Sequence, residues 1–320
     1  MVFELELIKW LQSFRSDFWD FFFQMWTLFG EELLIVGLMG FVYWCYDKKI
    51  GEALGITVFV SLVLNSIIKV VVQRPRPFLV DSEIQNIRPQ TAGGFSFPSG
   101  HTQGAATVFG GFAIWVRRRL VSIIVGVIIV MVAISRMYLG VHYLTDVLTG
   151  AALAIGISFG FQALLNKIKD PIRLFVYVLI ISGVIFIGSY LYFLLTVTAS
   201  ETATDASNLY NTLEGVAKMM GAIFGFTIGV IFEHRRVAFA NHRVFWKNLI
   251  RFALGVGIVM GVRLGLKFVF NLIIDPESGT LVEGAMGRAS LAILFDFIRY
   301  LAMVMVGIGI YPLAFKRFRF

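Results

Sequence analysis

The sequence predicts an all-α integral membrane protein: a bundle of about nine transmembrane helices preceded by an amphipathic helix lying in the membrane interface. Three observations predict it. Of 320 residues, 58% are hydrophobic and only 15% charged, with mean hydropathy +0.81, whereas soluble domains run near half apolar and a quarter charged. So little charge cannot keep so much apolar surface solvated as a disordered chain. The 32 Phe and 31 Gly against only 7 Pro suit helices packed closely in lipid through small residues. The single cysteine, Cys45, excludes an intramolecular disulfide framework and a multi-cysteine metal site.

Residues 1–29 mix Glu4, Glu6, Lys9, Arg15, Asp17 and Asp20 with Phe, Leu and Trp. That is too charged to span and too aromatic for a free tail, so an interfacial amphipathic segment is expected. It also lacks the basic start, continuous apolar stretch and cleavage site of a signal peptide. A crossing needs roughly 20 mostly apolar residues. Spans are expected at 30–46, 52–73, 100–116, 120–139 and 143–165, within a core of residues 30–173. Four more, at 174–197, 213–232, 247–273 and 289–314, form a C-terminal extension (174–320) of the same membrane domain. Gly104, Gly110, Gly111, Gly150 and Gly156 are read as close-packing positions, and Asn65 as a helix–helix contact.

Basic residues sort between the two sides. Lys48, Lys49, Arg117, Arg118, Arg119, Lys167, Lys169, Arg173, Arg235, Arg236, Arg243, Lys247, Lys316, Arg317 and Arg319 fall together, whereas the connection TASETATDASNLYNT has no Lys or Arg. The positive-inside rule makes the first set cytoplasmic, the N-terminus extracytoplasmic and the C-terminus cytoplasmic. Topology therefore accounts for the net charge of +8, and no nucleic-acid partner is expected.

Three polar segments then share the extracytoplasmic side: Lys69-VVVQR-Pro75-Arg76-Pro77, Pro98-Ser99-Gly100-His101, and Ser135-Arg136-MYLGV-His142-YLT-Asp146. Lys69, Arg76 and Arg136 supply cations, and a guanidinium fork suits phosphoryl oxygens. Ser99 and Gly100 open a helix, where free N–H groups favour an anion. His142 and Asp146 stand four positions apart, on one helical face. The carboxylate can fix one ring N–H and leave the other nitrogen to attack. His101 adds a second imidazole as general acid. No carboxylate cluster suggests a metal, and no cofactor is expected; the three cations would neutralise charge instead.

The pattern resembles the type 2 phosphatidic acid phosphatase superfamily, the lipid phosphate phosphatases, whose signatures K-x6-RP, PSGH and SR-x5-H-x3-D all match between residues 69 and 146. The resemblance implies that His142 attacks phosphorus and becomes a phosphohistidine, that His101 protonates the leaving group and that Asp146 supports the nucleophile. It further implies that Lys69, Arg76, Ser99, Gly100 and Arg136 hold the phosphoryl oxygens without a metal.

The expected activity is hydrolysis of a lipid phosphomonoester or diphosphate, with a phospholipid or polyprenyl phosphate as substrate and the plasma membrane as location. A soluble sugar phosphate, as in glucose-6-phosphatase-like members, is the alternative, and lipid phosphotransfer is another. The vanadium-dependent haloperoxidases share the signatures but are typically soluble, and a non-catalytic lipid transporter or scaffold has no need of both His101 and His142. Arg263, Lys267, Asp296, Lys218 and Glu214 place charge in the outer halves of the last three spans. Intramembrane charges pair or serve function. Arg263 and Asp296 rise to matched depths on sequential antiparallel spans and are expected to form an ion pair, or else a secondary pocket for the polar part of the substrate.

Overall fold

The computed structural model describes residues 2–196, 203–273 and 286–318. Among these, the regular structure is helical and no strand occurs. The helices are α1 (Val2–Ser13), α2 (Asp17–Thr27), α3 (Glu32–Phe41), α4 (Lys48–Val72), the short α5 (Pro77–Val80), α6 (Gly100–Ala105), α7 (Gly111–Val116), α8 (Arg119–Tyr138), α9 (Leu144–Lys167), α10 (Pro171–Thr196), α11 (Ala203–Phe232), α12 (Phe245–Ile273), α13 (Met286–Met305) and α14 (Leu313–Phe318). Seven described helices are long and apolar enough to cross a membrane, or eight if the bent pair near the N-terminus counts as one crossing. The segment expected to span at 100–116 is helical throughout, as α6, a π-turn over Ala106–Gly110, and α7.

The N-terminal segment departs from expectation. It forms two helices rather than one, because Ser16 is extended and caps α2 by accepting from the Trp19 amide. The second helix runs through a 3-10 turn, Leu28–Gly30, toward α3 with a bend of 49° over the pair. After Asp20, five of the seven remaining α2 residues are Phe, Met or Trp.

Two compact units emerge, one of residues 1–38 with 60–167 and one of 39–59 with 168–320. In the first, Asn65 on α4 donates to the Gln103 side chain at 2.8 Å, as its helix-contact reading anticipates, and Gln103 donates to the Ser61 carbonyl at 2.7 Å. Gly150 on α9 lets that helix approach the site: a Cβ there would lie 2.8 Å from the Ser99 carbonyl oxygen. Gly104 is similarly tight, with Ile35 Cδ1 at 2.8 Å, but Gly156 faces nothing within 4 Å and is not a packing position. The N-terminal helix docks on this unit through Ile8, buried with Ile84, Met137, Tyr143 and Val147, and through Gln12, which donates to the Gln85 and Tyr138 carbonyls.

In the second unit α13 packs chiefly on α11. Gly221 and Gly225 make this possible, since a Cβ at either would run into the Phe297 or Leu301 carbonyl. That packing corrects the expected Arg263–Asp296 pair. Among the described residues Asp296 pairs with Lys218 at 3.5 Å and with Arg299, and Lys218 also holds Glu214 at 2.7 Å. The direction in which α13 faces is set by its glycine contact with α11. That contact turns Asp296 toward Lys218.

Candidate active site

All eleven residues of the three signatures, the eight candidate catalytic and phosphate-binding residues among them, lie in the first unit. The turn between α8 and α9 presents the histidine. Gly140 has φ +76°, a left-handed conformation that stops α8, and a Cβ there would collide with the Gln85 carbonyl. The chain then turns so that His142 enters the interior, 2% exposed. Its Nδ1 lies 3.3 Å from Asp146 Oδ2, an oxygen that also accepts from the Tyr143 amide at 2.9 Å. A carboxylate at Nδ1 selects the Nδ1–H tautomer and leaves a lone pair on Nε2. Nε2 faces Arg76 Nη1 at 3.4 Å. Burial, with Arg76, Arg136 and Lys69 nearby, holds this imidazole well below its ordinary pKa, so it stands neutral and nucleophilic.

Backbone carbonyls fix Arg76 and Lys69, and threonine oxygens fix Arg136. Arg76, buried, donates from Nε to the Gly94 carbonyl at 2.9 Å, from Nη1 to Val141 at 2.9 Å and from Nη2 to Gly93 at 2.5 Å. Lys69 Nζ donates to the Phe95 and Ser96 carbonyls. Arg136, fully buried, donates to Thr27 Oγ1 at 2.9 Å and Thr91 Oγ1 at 3.2 Å. Among the described residues no carboxylate pairs with any of the three, although each lies within electrostatic reach of another. Buried charge without a counter-ion is costly.

The α6 end supplies the remaining groups. Ser99 caps α6 through its side chain, and its amide donates to the Asp146 carbonyl at 3.0 Å, tying the PSGH segment to the His–Asp segment. A Cβ at Gly100 would stand in ordinary contact with Asn65 Oδ1, at 3.5 Å. His101 lies within electrostatic reach of Arg136, His142 and Arg76. Two buried nitrogens here, His101 Nε2 and Arg136 Nε, have no hydrogen-bond partner among the described residues. Three cations without a carboxylate partner among the described residues, with these two nitrogens, suit a phosphoryl group.

Sequence reasoning missed the shell behind the dyad. Arg74 Nη1 donates to Asp146 Oδ1 at 2.8 Å, and its Nη2 donates to Glu4 Oε2 at 2.8 Å. Thr27 and Thr91, which orient Arg136, were also missed. A second arginine inside R-P-R-P was the available signal for Arg74; nothing in the sequence links Glu4 or Thr27 to residues so far along the chain. The other predicted pair, Arg263 and Asp296, lies in the second unit.

Comparison with known proteins bears on this arrangement. Residues 51–170 match the PAP2 superfamily, and residues 217–320 match the PAP2 superfamily phosphatase transmembrane extension. Phosphatidylglycerophosphatase B of Bacillus subtilis is 34% identical over 147 residues, covering 43% of this chain and 69% of that protein. Lipid A 4'-phosphatase of Bacteroides thetaiotaomicron is 31% identical over 168 residues, 47% of this chain and 71% of that one. Sphingosine-1-phosphate phosphatase 1 of Mus musculus is 25% identical over 304 residues, 91% of this chain and 69% of that one.

Proposed function

We propose, from the premise that this chain belongs to the PAP2 superfamily and is a multi-span membrane phosphoric ester hydrolase, that it hydrolyses a phosphomonoester or diphosphate of a membrane lipid. The reaction takes place on the extracytoplasmic face of the plasma membrane and passes through a phosphohistidine on His142. The observation that carries this reading is the cluster of half-buried Lys69 with buried Arg76 and Arg136, none with a carboxylate partner among the described residues, beside His101 Nε2 and Arg136 Nε.

In the first step His142 Nε2 attacks phosphorus as the bond to the leaving oxygen breaks. That oxygen takes a proton from His101. Asp146 stabilises the charge that develops on the His142 ring. In the second step His101 removes a proton from water, the water oxygen bonds to phosphorus, and the P–N bond breaks to regenerate His142. The three cations and the Ser99–Gly100 end of α6 face the phosphoryl oxygens, whose charge they offset in the transition state. Lys, Arg and amide donors thereby do the work of a divalent ion. Support for a lipid substrate comes from the relatives, which are named for phosphatidylglycerophosphate, lipid A and sphingosine-1-phosphate.

Phosphate release by detergent-purified protein, measured in EDTA against lipid phosphates, a polyprenyl diphosphate and soluble sugar phosphates, tests the proposal. Release from a lipid substrate in EDTA is expected, with competition by vanadate, which imitates the five-coordinate transition state. Release from sugar phosphates alone would move the assignment to the soluble class. Activity lost in EDTA and restored by Mg²⁺ would overturn the metal-free mechanism.

A further inference from the structure

We infer that Arg74 and Glu4 are positioning residues for the reaction, forming a relay in which the N-terminal helix α1 holds Arg74, Arg74 holds Asp146, and Asp146 holds His142. The inference rests on the proposed role of His142 as nucleophile.

The two arginines of the R-P-R-P segment bracket the His–Asp dyad. Arg76 faces the Nε2 end of His142, where phosphorus would sit. Arg74 serves the opposite end. Its Nη1 donates both to Asp146 Oδ1 at 2.8 Å and to Thr145 Oγ1 at 2.6 Å, and its guanidinium stacks 3.6 Å from the Tyr143 ring centroid. Nη2 is taken by Glu4 Oε2 at 2.8 Å. Three of its five N–H donors are committed to Asp146, Thr145 and Glu4, and one face is covered by Tyr143, so Arg74 is anchored behind the dyad. Its task is to occupy Oδ1, so that Oδ2 alone is aimed at His142 and the Tyr143 amide.

Glu4 completes the relay. Its Oε1 accepts from the Thr145 amide at 2.9 Å and from the Thr145 hydroxyl at 2.7 Å, while Oε2 accepts from Arg74. Burial works to raise the Glu4 pKa, but the hydrogen bonds from Thr145 and the charge of Arg74 outweigh it and leave the carboxyl below its ordinary value. Glu4 is therefore ionised, and it fixes both the first turn of α9 and the guanidinium that reads Asp146. A bidentate fork between two carboxylates sets direction as well as charge. A helix that reads in the sequence as an interfacial segment thus reaches the candidate nucleophile through two ion pairs and one hydrogen bond.

Steady-state kinetics on a short-chain lipid phosphate would test this with Arg74→Gln, Arg74→Lys, Glu4→Gln and His142→Ala, reading kcat, KM and the inhibition constant of inorganic phosphate. Arg74→Gln should lower kcat about 10- to 100-fold, the scale of a misaligned reacting group. KM and phosphate inhibition should stay within about twofold, because the cradle is not touched. Lys at position 74 should recover part of the loss, since a point charge reaches one carboxylate but does not bridge two. Glu4→Gln should lower kcat in the same direction with phosphate inhibition again unchanged. Unchanged kcat in Arg74→Gln would overturn the inference, as would a loss matched by equally weakened phosphate inhibition, which a purely structural role produces. If Arg74→Gln is not recovered as folded protein, Glu4→Gln decides by the same two readings. Persistent turnover in His142→Ala would instead strike the phosphohistidine mechanism, so the two failures are distinct.

Discussion

At the scale of single residues, the dyad carries the sharpest expectations. His142→Ala should abolish both turnover and the acid-labile phosphoenzyme trapped by rapid quench with labelled substrate. His101→Asn should slow hydrolysis of alkyl phosphates by about 10²- to 10⁴-fold, the usual worth of general acid–base catalysis. Its phosphoenzyme formation should survive on a substrate whose leaving group needs no proton. Labelled phosphoenzyme in the His142 variant would refute the assignment. The pH profile follows from the depressed His142 pKa, caused first by burial and then by Arg76, Arg136 and Lys69. A lowered pKa keeps the ring neutral at pH values where a free imidazole, near 6.5, would already be charged. The acid limb of kcat/KM assignable to His142 should therefore lie below about pH 6.5, and a limb above it would contradict the burial and the cation field together.

At the scale of elements, glycines decide where helices meet, and they separate site-bearing contacts from idle ones. A Cβ at Gly30 would lie 2.8 Å from both His101 Cβ and the His101 carbonyl oxygen. Backbone has to move to accept it, so Gly30→Ala should cost about 1–3 kcal/mol in stability and lower kcat by displacing α6. Gly156→Ala, with nothing in reach, should stay within about 0.5 kcal/mol of the parent in thermal unfolding and keep full activity. Equal effects from the two would show that the close approach at Gly30 is not what holds His101. The α11–α13 contact makes a second forecast. Lys218→Ala and Asp296→Ala should each destabilise, and the double variant should lose less than the sum, because the pair at 3.5 Å is one interaction. Arg263→Ala and Asp296→Ala should add within about 0.5 kcal/mol. Strong coupling to Arg263 would restore the partner expected from helix depth.

At the scale of the whole molecule, the sorting of basic residues sets a direction for the chemistry. In a Cys45→Ala background, an impermeant thiol reagent applied to intact cells should label a cysteine at Ser82 and not one at Lys169, both exposed positions. The reverse pattern would put the phosphatase chemistry in the cytoplasm. The division into two units carries a related point. The eight candidate catalytic and phosphate-binding residues and the relay behind them fall in the first unit, and the Glu214–Lys218–Asp296–Arg299 cluster falls in the second.

How much of this was legible in advance depends on the range of the forces involved. Apolar runs, basic asymmetry and the three spaced signatures are local properties, and from them the sequence by itself determined the membrane class, the positions of most spans and the candidates for the phosphate cradle. A π-turn inside 100–116, the split of the N-terminal segment at Ser16 and the 49° bend were not legible, because helix breaks depend on capping and packing that hydropathy does not register. Only the tertiary structure decided which partner each charge takes. Asp296 meets Lys218 because Gly221 and Gly225 let α13 lie on α11 in one orientation, and Glu4 meets Arg74 because Ile8 seats α1 against Tyr143 and Val147. Ion pairing is settled by rotation about a helix axis and by approach within a few ångströms. Sequence spacing constrains those quantities along one helix and leaves them open between helices.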